Sequence, residues 1–216
     1  MEQENGLPVG WENVQLGDVV IVMDNKRIPI NAKERAGRVG TTPYYGATGQ
    51  VGWIDDYLFD EELVLLGEDG APFLDPSKQK AYIIRGKSWV NNHAHVLKAK
   101  SNSLNTYIKY YLDIISYKDF VTGTTRLKLN QSAMYRIPVP LAPLSEQHRI
   151  VAEIEKQFSR LDEAVAGLKR IQANLKRYRA SVLKSAVEGK LTAEWRKQHP
   201  DTEPAEQLLQ RILTHV

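Results

Sequence analysis

His93 and His95 flank Ala94, a spacing that on a β-strand turns both imidazoles to one side, where a third ligand from elsewhere would complete a metal site. Neither an acidic residue nor a third histidine lies close to them along the chain. Hydrogen bonding to a partner or a structural use is therefore the stronger reading, and no metal is assigned. The adjacent carboxylates Asp55–Asp56 and Glu61–Glu62 have the composition of acid–base pairs, but as neighbours in an acidic stretch they read as solvated charges. No Gly-rich segment leads into Lys-Ser or Lys-Thr, so the phosphate-binding loop is missing, and so is a Gly-x-Ser-x-Gly nucleophile elbow. The chain has no cysteine, which excludes disulfides, thiolate metal ligands and cysteine nucleophiles. No catalytic residue and no cofactor follow from these residues.

The chemistry that is present is charge. Asp55 to Asp75 contains eight acidic residues and no basic one, and Pro76 to Leu112 contains seven basic residues and no acidic one. Lys78, Lys80, Arg85, Lys87, Lys98, Lys100 and Lys109 are interleaved there with Trp89, Asn91, Asn92, His93 and His95. Basic groups position a protein on phosphates, while Asn, Arg and His read base edges. The pattern predicts one face for nucleic acid and another that avoids it, unless the fold mixes the charges again.

Several elements must hold these residues. Val19 to Met23 is the longest purely apolar run, far short of the ~20 residues that span a bilayer, so no membrane contact is expected. Met1-Glu2-Gln3-Glu4-Asn5 has neither a basic nor an apolar region of a signal peptide, and a cytoplasmic protein is expected. The apolar residues from Leu16 to Val22 suggest a buried strand, and Gly37 to Gly52 reads as loop. Leu63–Leu66, Ala81–Ile84 and His95–Leu97 suit strands, as do Val121–Leu129 and Ile137–Val139. Leu104, Tyr107, Ile108, Tyr111, Leu112 and Ile115 repeat at helical spacing.

A long heptad pattern follows. Val151, Ile154, Phe158, Leu161, Val165, Leu168, Gln172, Leu175, Arg179, Val182 and Ala186 alternate steps of three and four. This predicts a helix of roughly 65 Å with an apolar seam, as in a coiled coil, that needs a partner. Ser145 offers its N-cap and Gly189 its C-terminal stop. Residues 1–140 and 190–216 each balance their charges, so the chain's net +3 sits on this helix. Lys169, Arg170, Lys176, Arg177, Arg179 and Lys184 make that half either a track for phosphates or acidic protein, or a solvated face. Gln172 and Arg179 interrupt the seam and could fix its register; Ala164, Ala166 and Gly167 leave room for a second backbone. Thr202-Glu203-Pro204 opens a last helix with Leu208, Leu209, Ile212 and Leu213 on one face.

Leu7-Pro8-Val9-Gly10-Trp11 with Leu16-Gly17-Asp18-Val19 resembles the opening of a target-recognition domain from the specificity subunit of type I restriction–modification systems. Thr42-Pro43 with Tyr44-Tyr45-Gly46-Ala47-Thr48-Gly49, Gly67-Glu68-Asp69-Gly70 and Asn91 to Leu97 are similar to further blocks of that family. Gly123 to Asn130, Ile137-Pro138-Val139-Pro140-Leu141 and Pro143-Leu144-Ser145-Glu146-Gln147 resemble its exit into a long helix. The blocks occur in order over nearly the full length.

The resemblance implies a non-catalytic module that binds one half of a bipartite site on double-stranded DNA. It also implies docking to methyltransferase subunits and, through them, to a motor-nuclease subunit. No tetrapeptide of an amino-methyltransferase is present; Asp75-Pro76-Ser77-Lys78 only begins like one. The implied fold is an α/β (α+β) recognition domain over 1–143 and a coiled-coil-forming spacer helix over 144–189. A connector and short helix occupy 190–216. The family's full subunit has two recognition domains and two such helices, so one of each makes this a half-subunit. Antiparallel pairing of two copies would restore the architecture and read an interrupted palindrome. Expected DNA contacts are Tyr44, Tyr45, Thr48, Lys78, Asn91, Asn92, His93 and His95, with Arg126 and Lys128 from the Gly123 loop. Expected pairing residues are Val151, Ile154, Phe158, Leu161, Val165, Leu168, Leu175 and Val182. The rival readings are a coiled-coil scaffold that touches only protein, and a self-sufficient nuclease, for which no Asp…Glu-x-Lys arrangement is found.

Overall fold

The computed structural model describes residues 6–214, so the Met1–Asn5 stretch read for a signal peptide lies outside the described residues. Two compact units are present, Met1–Glu155 and Lys156–Val216.

The first unit begins with β1 (Glu12–Gln15), a single helical turn α1 (Leu16–Val19) and β2 (Val20–Val22). The apolar run that suggested one strand is therefore split. Gln15 and Asp18 close a capping box, and the turn sends Leu16 and Val19 together into the core. A short helix α2 (Ala32–Gly37) follows, capped by the Asn31 side chain on the Glu34 N–H. The segment expected to be loop is instead a hairpin of β3 (Thr42–Gly46) and β4 (Gly49–Ile54). Its Pro and Gly content hid the strands, whose buried residues are only Tyr44, Gly46 and Ile54.

Next come β5 (Phe59–Asp60), β6 (Leu63–Gly67), β7 (Ala81–Ile84), β8 (Lys87–Val90) and β9 (Ala94–Ala99). The expected amphipathic helix is α3 (Asn105–Ile114). Of the strand expected over Val121–Leu129 only the ends pair, as β10 (Val121–Thr122) and β11 (Lys128–Leu129). Then come α4 (Gln131–Tyr135), β12 (Pro138–Leu141) and the long helix α5 (Leu144–Val187).

One sheet has the order β2-β9-β6-β7 and is antiparallel throughout; a second has the order β4-β3-β8-β5, with β3 and β8 parallel. β6 explains how they stack. Its alternate side chains point to opposite faces, and both faces are covered. Val64 and Leu66 join Ile108 and Leu112 of α3 in one core, while Leu63 and Leu65 join Val90 and Val96 in another. Burial of each such side chain stabilises by about 1.5–3 kcal/mol. A third small cluster, Tyr44, Ile54 and Trp89, lies within the second sheet.

Helix α5 starts at Leu144, with Gln147 N–H on Pro143 O; Ser145 thus lies inside the first turn rather than capping it. Gly189 adopts a left-handed φ of 69°, the stop expected for it. In the second unit, α6 (Ala193–Gln198) and α7 (Ala205–Leu213) follow. Phe158, Leu161, Val165, Leu168 and Leu175 are exposed along the helix, and Leu208, Leu209, Ile212 and Leu213 are exposed on α7. Ile154 and Val182 are half-buried, and Val151 packs against the α3-side core of the first unit. No helix among the described residues is long and apolar enough to cross a membrane.

Candidate nucleic-acid interface

Four turns of the first unit meet at one rim. They are the β3–β4 hairpin tip, the Glu68–Gly70 turn after β6, the Asn91–His93 turn before β9, and the loop between β10 and β11. Main-chain bonds tie them together. Asn91 N–H donates to Tyr45 O at 3.0 Å, Glu68 N–H to His93 O at 2.8 Å, Gly70 N–H to Leu127 O at 3.0 Å and Leu129 N–H to Glu68 O at 2.8 Å. Asp69 and Lys128 form an isolated bridge. Gly67 lets the turns close: a Cβ there would lie 2.3 Å from Ala71 Cβ and 3.2 Å from the Ala47 carbonyl oxygen of the hairpin tip. With the backbone building this rim, Thr48, Asn92, Arg126 and Lys128 are left exposed on it.

An ionic ladder runs through it. His93 Nδ1 lies 2.7 Å from Asp69 Oδ1, and Arg126 Nη2 donates to that same oxygen at 2.8 Å. Lys128 Nζ is 3.3 Å from Glu68 Oε1, and Arg27 Nη1 is 2.7 Å from Glu68 Oε2. Deeper in, His95 Nδ1 is 2.6 Å from Asp24 Oδ2 and its Nε2 is 2.8 Å from Leu129 O. Asp24, Glu68 and His95 each offer a ligand atom within 4.8 Å of the others. However, the guanidinium of Arg27, 3.4 Å from Asp24, and the Lys128 ammonium already supply the cations there. The histidines' lack of acidic neighbours holds only along the chain; folding brings Asp69, Asp24 and Glu68 to them.

The expected contact residues fall into four groups. Thr48, Asn92, Arg126 and Lys128 are exposed at the rim, with His93 half-exposed beside them. Tyr45 and Asn91 are supports. Tyr45 packs tilted on Tyr82, and Asn91 is buried and accepts the His93 N–H at 2.8 Å. Tyr82 in turn donates its hydroxyl to Gly46 O, and burial pushes its phenol well above the usual range. Tyr44 and His95 are 1% exposed, so direct base contact is withdrawn for both. Tyr44 fills the third core cluster, and both ring nitrogens of His95 are occupied inside the protein. Lys78 sits on a different turn, paired with Asp75 at 3.6 Å.

The charge separation seen along the chain does not survive folding. Pairing of acidic with basic segments puts Arg85 on Glu62 at 2.9 Å and Lys98 on Glu61 at 2.5 Å, and Lys80 is buried with Nζ on Asp113 O. The alternative, that the fold mixes the charges again, is the one the structure bears out. Asp69 and Glu68 are site residues that sequence reasoning misses. Their only signal was the Gly67-Glu68-Asp69-Gly70 block, which carried no role by itself.

The model of the type I restriction modification DNA specificity domain matches residues 8–177. The specificity subunit S.HindORF215P of Haemophilus influenzae is 34% identical over 146 residues, 68% of this chain and 36% of that protein. The type I restriction enzyme EcoDI specificity subunit of Escherichia coli is 29% identical over 205 residues, 93% of this chain and 43% of that protein. The chain thus spans under half the length of these relatives. Among solved structures, the HsdS subunit from Thermoanaerobacter tengcongensis is similar with a TM-score of 0.55 at 21% identity, covering 83% of this chain and 45% of that one. The S subunit of a type I system from M. genitalium gives 0.56 at 16% identity, covering 94% and 52%. At such identities these two likenesses speak for the fold.

Proposed function

The chain belongs to the type I restriction–modification DNA specificity family, and we propose from that premise that its globular domain reads one half of a two-part site on duplex DNA. The observation that carries this reading is the rim where four turns converge. A scaffold of main-chain bonds there presents Thr48, Asn92, His93, Arg126 and Lys128 outward. These are residue types that bond base edges and phosphates. The domain boundaries at 143 and 189 and the direct contacts are part of this proposal.

Chemistry on the DNA would fall to methyltransferase subunits docked on α5, and cleavage to a motor-nuclease subunit joined through them. The exposed residues Phe158, Leu161, Val165, Leu168 and Leu175 support the pairing of α5 with a second copy of itself. Antiparallel pairing of this kind would relate two recognition domains by a two-fold axis. The target is then an interrupted palindrome.

Mapping methylated adenines in a host that expresses the chain with its methyltransferase tests this. The expected result is a symmetric motif in two parts. An asymmetric motif overturns the pairing, and methylation that ignores this chain overturns the specificity role. Gel-shift titrations at two salt concentrations separate the scaffold reading, because a DNA reader loses affinity steeply as salt rises and a scaffold gives no specific shift.

A further inference from the structure

We propose that Asp69 sets His93 and Arg126 as one composite reader of a G·C base pair, a role that rests on the rim being the DNA interface. The geometry is specific. Asp69 Oδ1 holds both side chains, His93 Nδ1 at 2.7 Å and Arg126 Nη2 at 2.8 Å, and those two nitrogens lie 3.4 Å apart. A carboxylate only accepts, so the hydrogen of the imidazole sits on Nδ1. In the neutral ring Nε2 is then an acceptor. Arg126 keeps its remaining N–H groups as donors.

The backbone under the pair is fixed. The Asn91 side chain holds the His93 N–H and Glu68 N–H holds the His93 carbonyl. The guanidinium of Arg126 lies over Gly70, where a Cβ would be 3.4 Å from Nε and φ is +68°. Donors and an acceptor are thus presented side by side. The major-groove edge of a G·C pair offers the complement, with the N7 and O6 acceptors of guanine next to the N4 amino donor of cytosine. Arg126 takes the guanine and His93 Nε2 takes the cytosine. Asp69 touches neither base; it is a positioning residue that fixes the tautomer of one and the direction of the other.

The test uses the full chain with its methyltransferase partner and a randomised duplex pool. The wild type is expected to select a half-site with an invariant G·C position. Arg126→Ala, at a side chain 62% exposed and thus harmless to folding, is expected to lose about ten- to a hundred-fold discrimination at that position alone. Asp69→Ala is expected to do the same, and Asp69→Asn, which keeps an acceptor oxygen, to recover part of it. Nitrogen-15 histidine spectra should show His93 as the Nδ1–H tautomer in the wild type and a shift toward Nε2–H in Asp69→Ala, which a purely structural Asp69 would not cause. A half-site lacking an invariant G·C, a uniform loss of affinity for all sequences, or an unchanged tautomer overturns the proposal. Failure of the wild type to select any motif overturns the DNA-reading function beneath it.

Discussion

The Trp11 indole Nε1 donates to Glu146 Oε2 at 3.1 Å, joining the start of the globular domain to the first turn of the long helix across 135 positions. Gln147, the next residue, completes the joint. It is fully buried, its Oε1 accepts the Leu104 N–H at 3.0 Å, and its Nε2 donates to Asn102 O and Ala142 O. The base of the helix is thus bonded into the domain, in part through a glutamine side chain that water does not reach.

Replacing that side chain by Ala leaves one N–H and two carbonyls without it. Each unpaired buried group costs about 1–3 kcal/mol, so Gln147→Ala is expected to lose about 2–4 kcal/mol in urea unfolding. A loss below about 0.5 kcal/mol would mean that these groups find other partners.

Gly67→Ala puts a methyl group 2.3 Å from Ala71 Cβ, where no atom fits. The strain is expected to cost about 1–3 kcal/mol and to push the hairpin tip off the Glu68–Gly70 turn, weakening DNA binding as well. Gly37, where an added Cβ meets nothing within 4 Å, is the control and should tolerate Ala in both thermal melts and gel shifts.

Buried tyrosines predict alkaline unfolding. Burial raises the phenols of Tyr82, Tyr107, Tyr111 and Tyr117 above the ordinary 10.0. Tyr107 and Tyr111 donate to Pro140 O and Pro138 O of β12, and Tyr117 to Leu112 O. The unfolded chain releases these protons near pH 10.0 and the folded chain holds them longer. Their stabilising effect is therefore complete below that pH and declines as pH rises toward the folded values. Circular dichroism with tyrosinate absorbance should show unfolding and phenol ionisation moving together above pH 10.0; a midpoint that is flat across that window would refute the linkage.

Leu161→Glu with Leu168→Glu places charge on the exposed seam, at residues 60% and 66% exposed. The pair loses four leucines, two from each copy, which costs it about 6–12 kcal/mol if the seam is its interface. Sedimentation at micromolar concentration is expected to show a dimer for the wild type and a monomer for the variant. A wild-type monomer would sink the pairing.

Lys78→Ala should leave motif selection unchanged. Its pair with Asp75 is exposed, at 3.6 Å, and such solvent-screened pairs contribute little. A change in the selected half-site would return Lys78 to the interface.

The sequence by itself determined the parts whose signal is local. Helix α5 was legible because a seam repeats every three and four residues, and α3 because Leu104 to Ile115 falls on one face. β6, β7 and β9 were legible as short apolar runs. The ordered family blocks were legible too, from Leu7-Pro8 to Glu146-Gln147.

Only the tertiary structure decided how the charges and histidines are used, because both depend on strand neighbours far apart in the chain. β6 pairs with β7 and β9, so acidic and basic runs that are separate in sequence neutralise each other. His93 and His95, two residues apart, receive opposite roles: burial at 1% exposure locks His95 between Asp24 and Leu129, while Asp69 holds His93 at the rim beside Arg126. Periodicity reports which face of an element is buried; only the packed fold reports what lies against it.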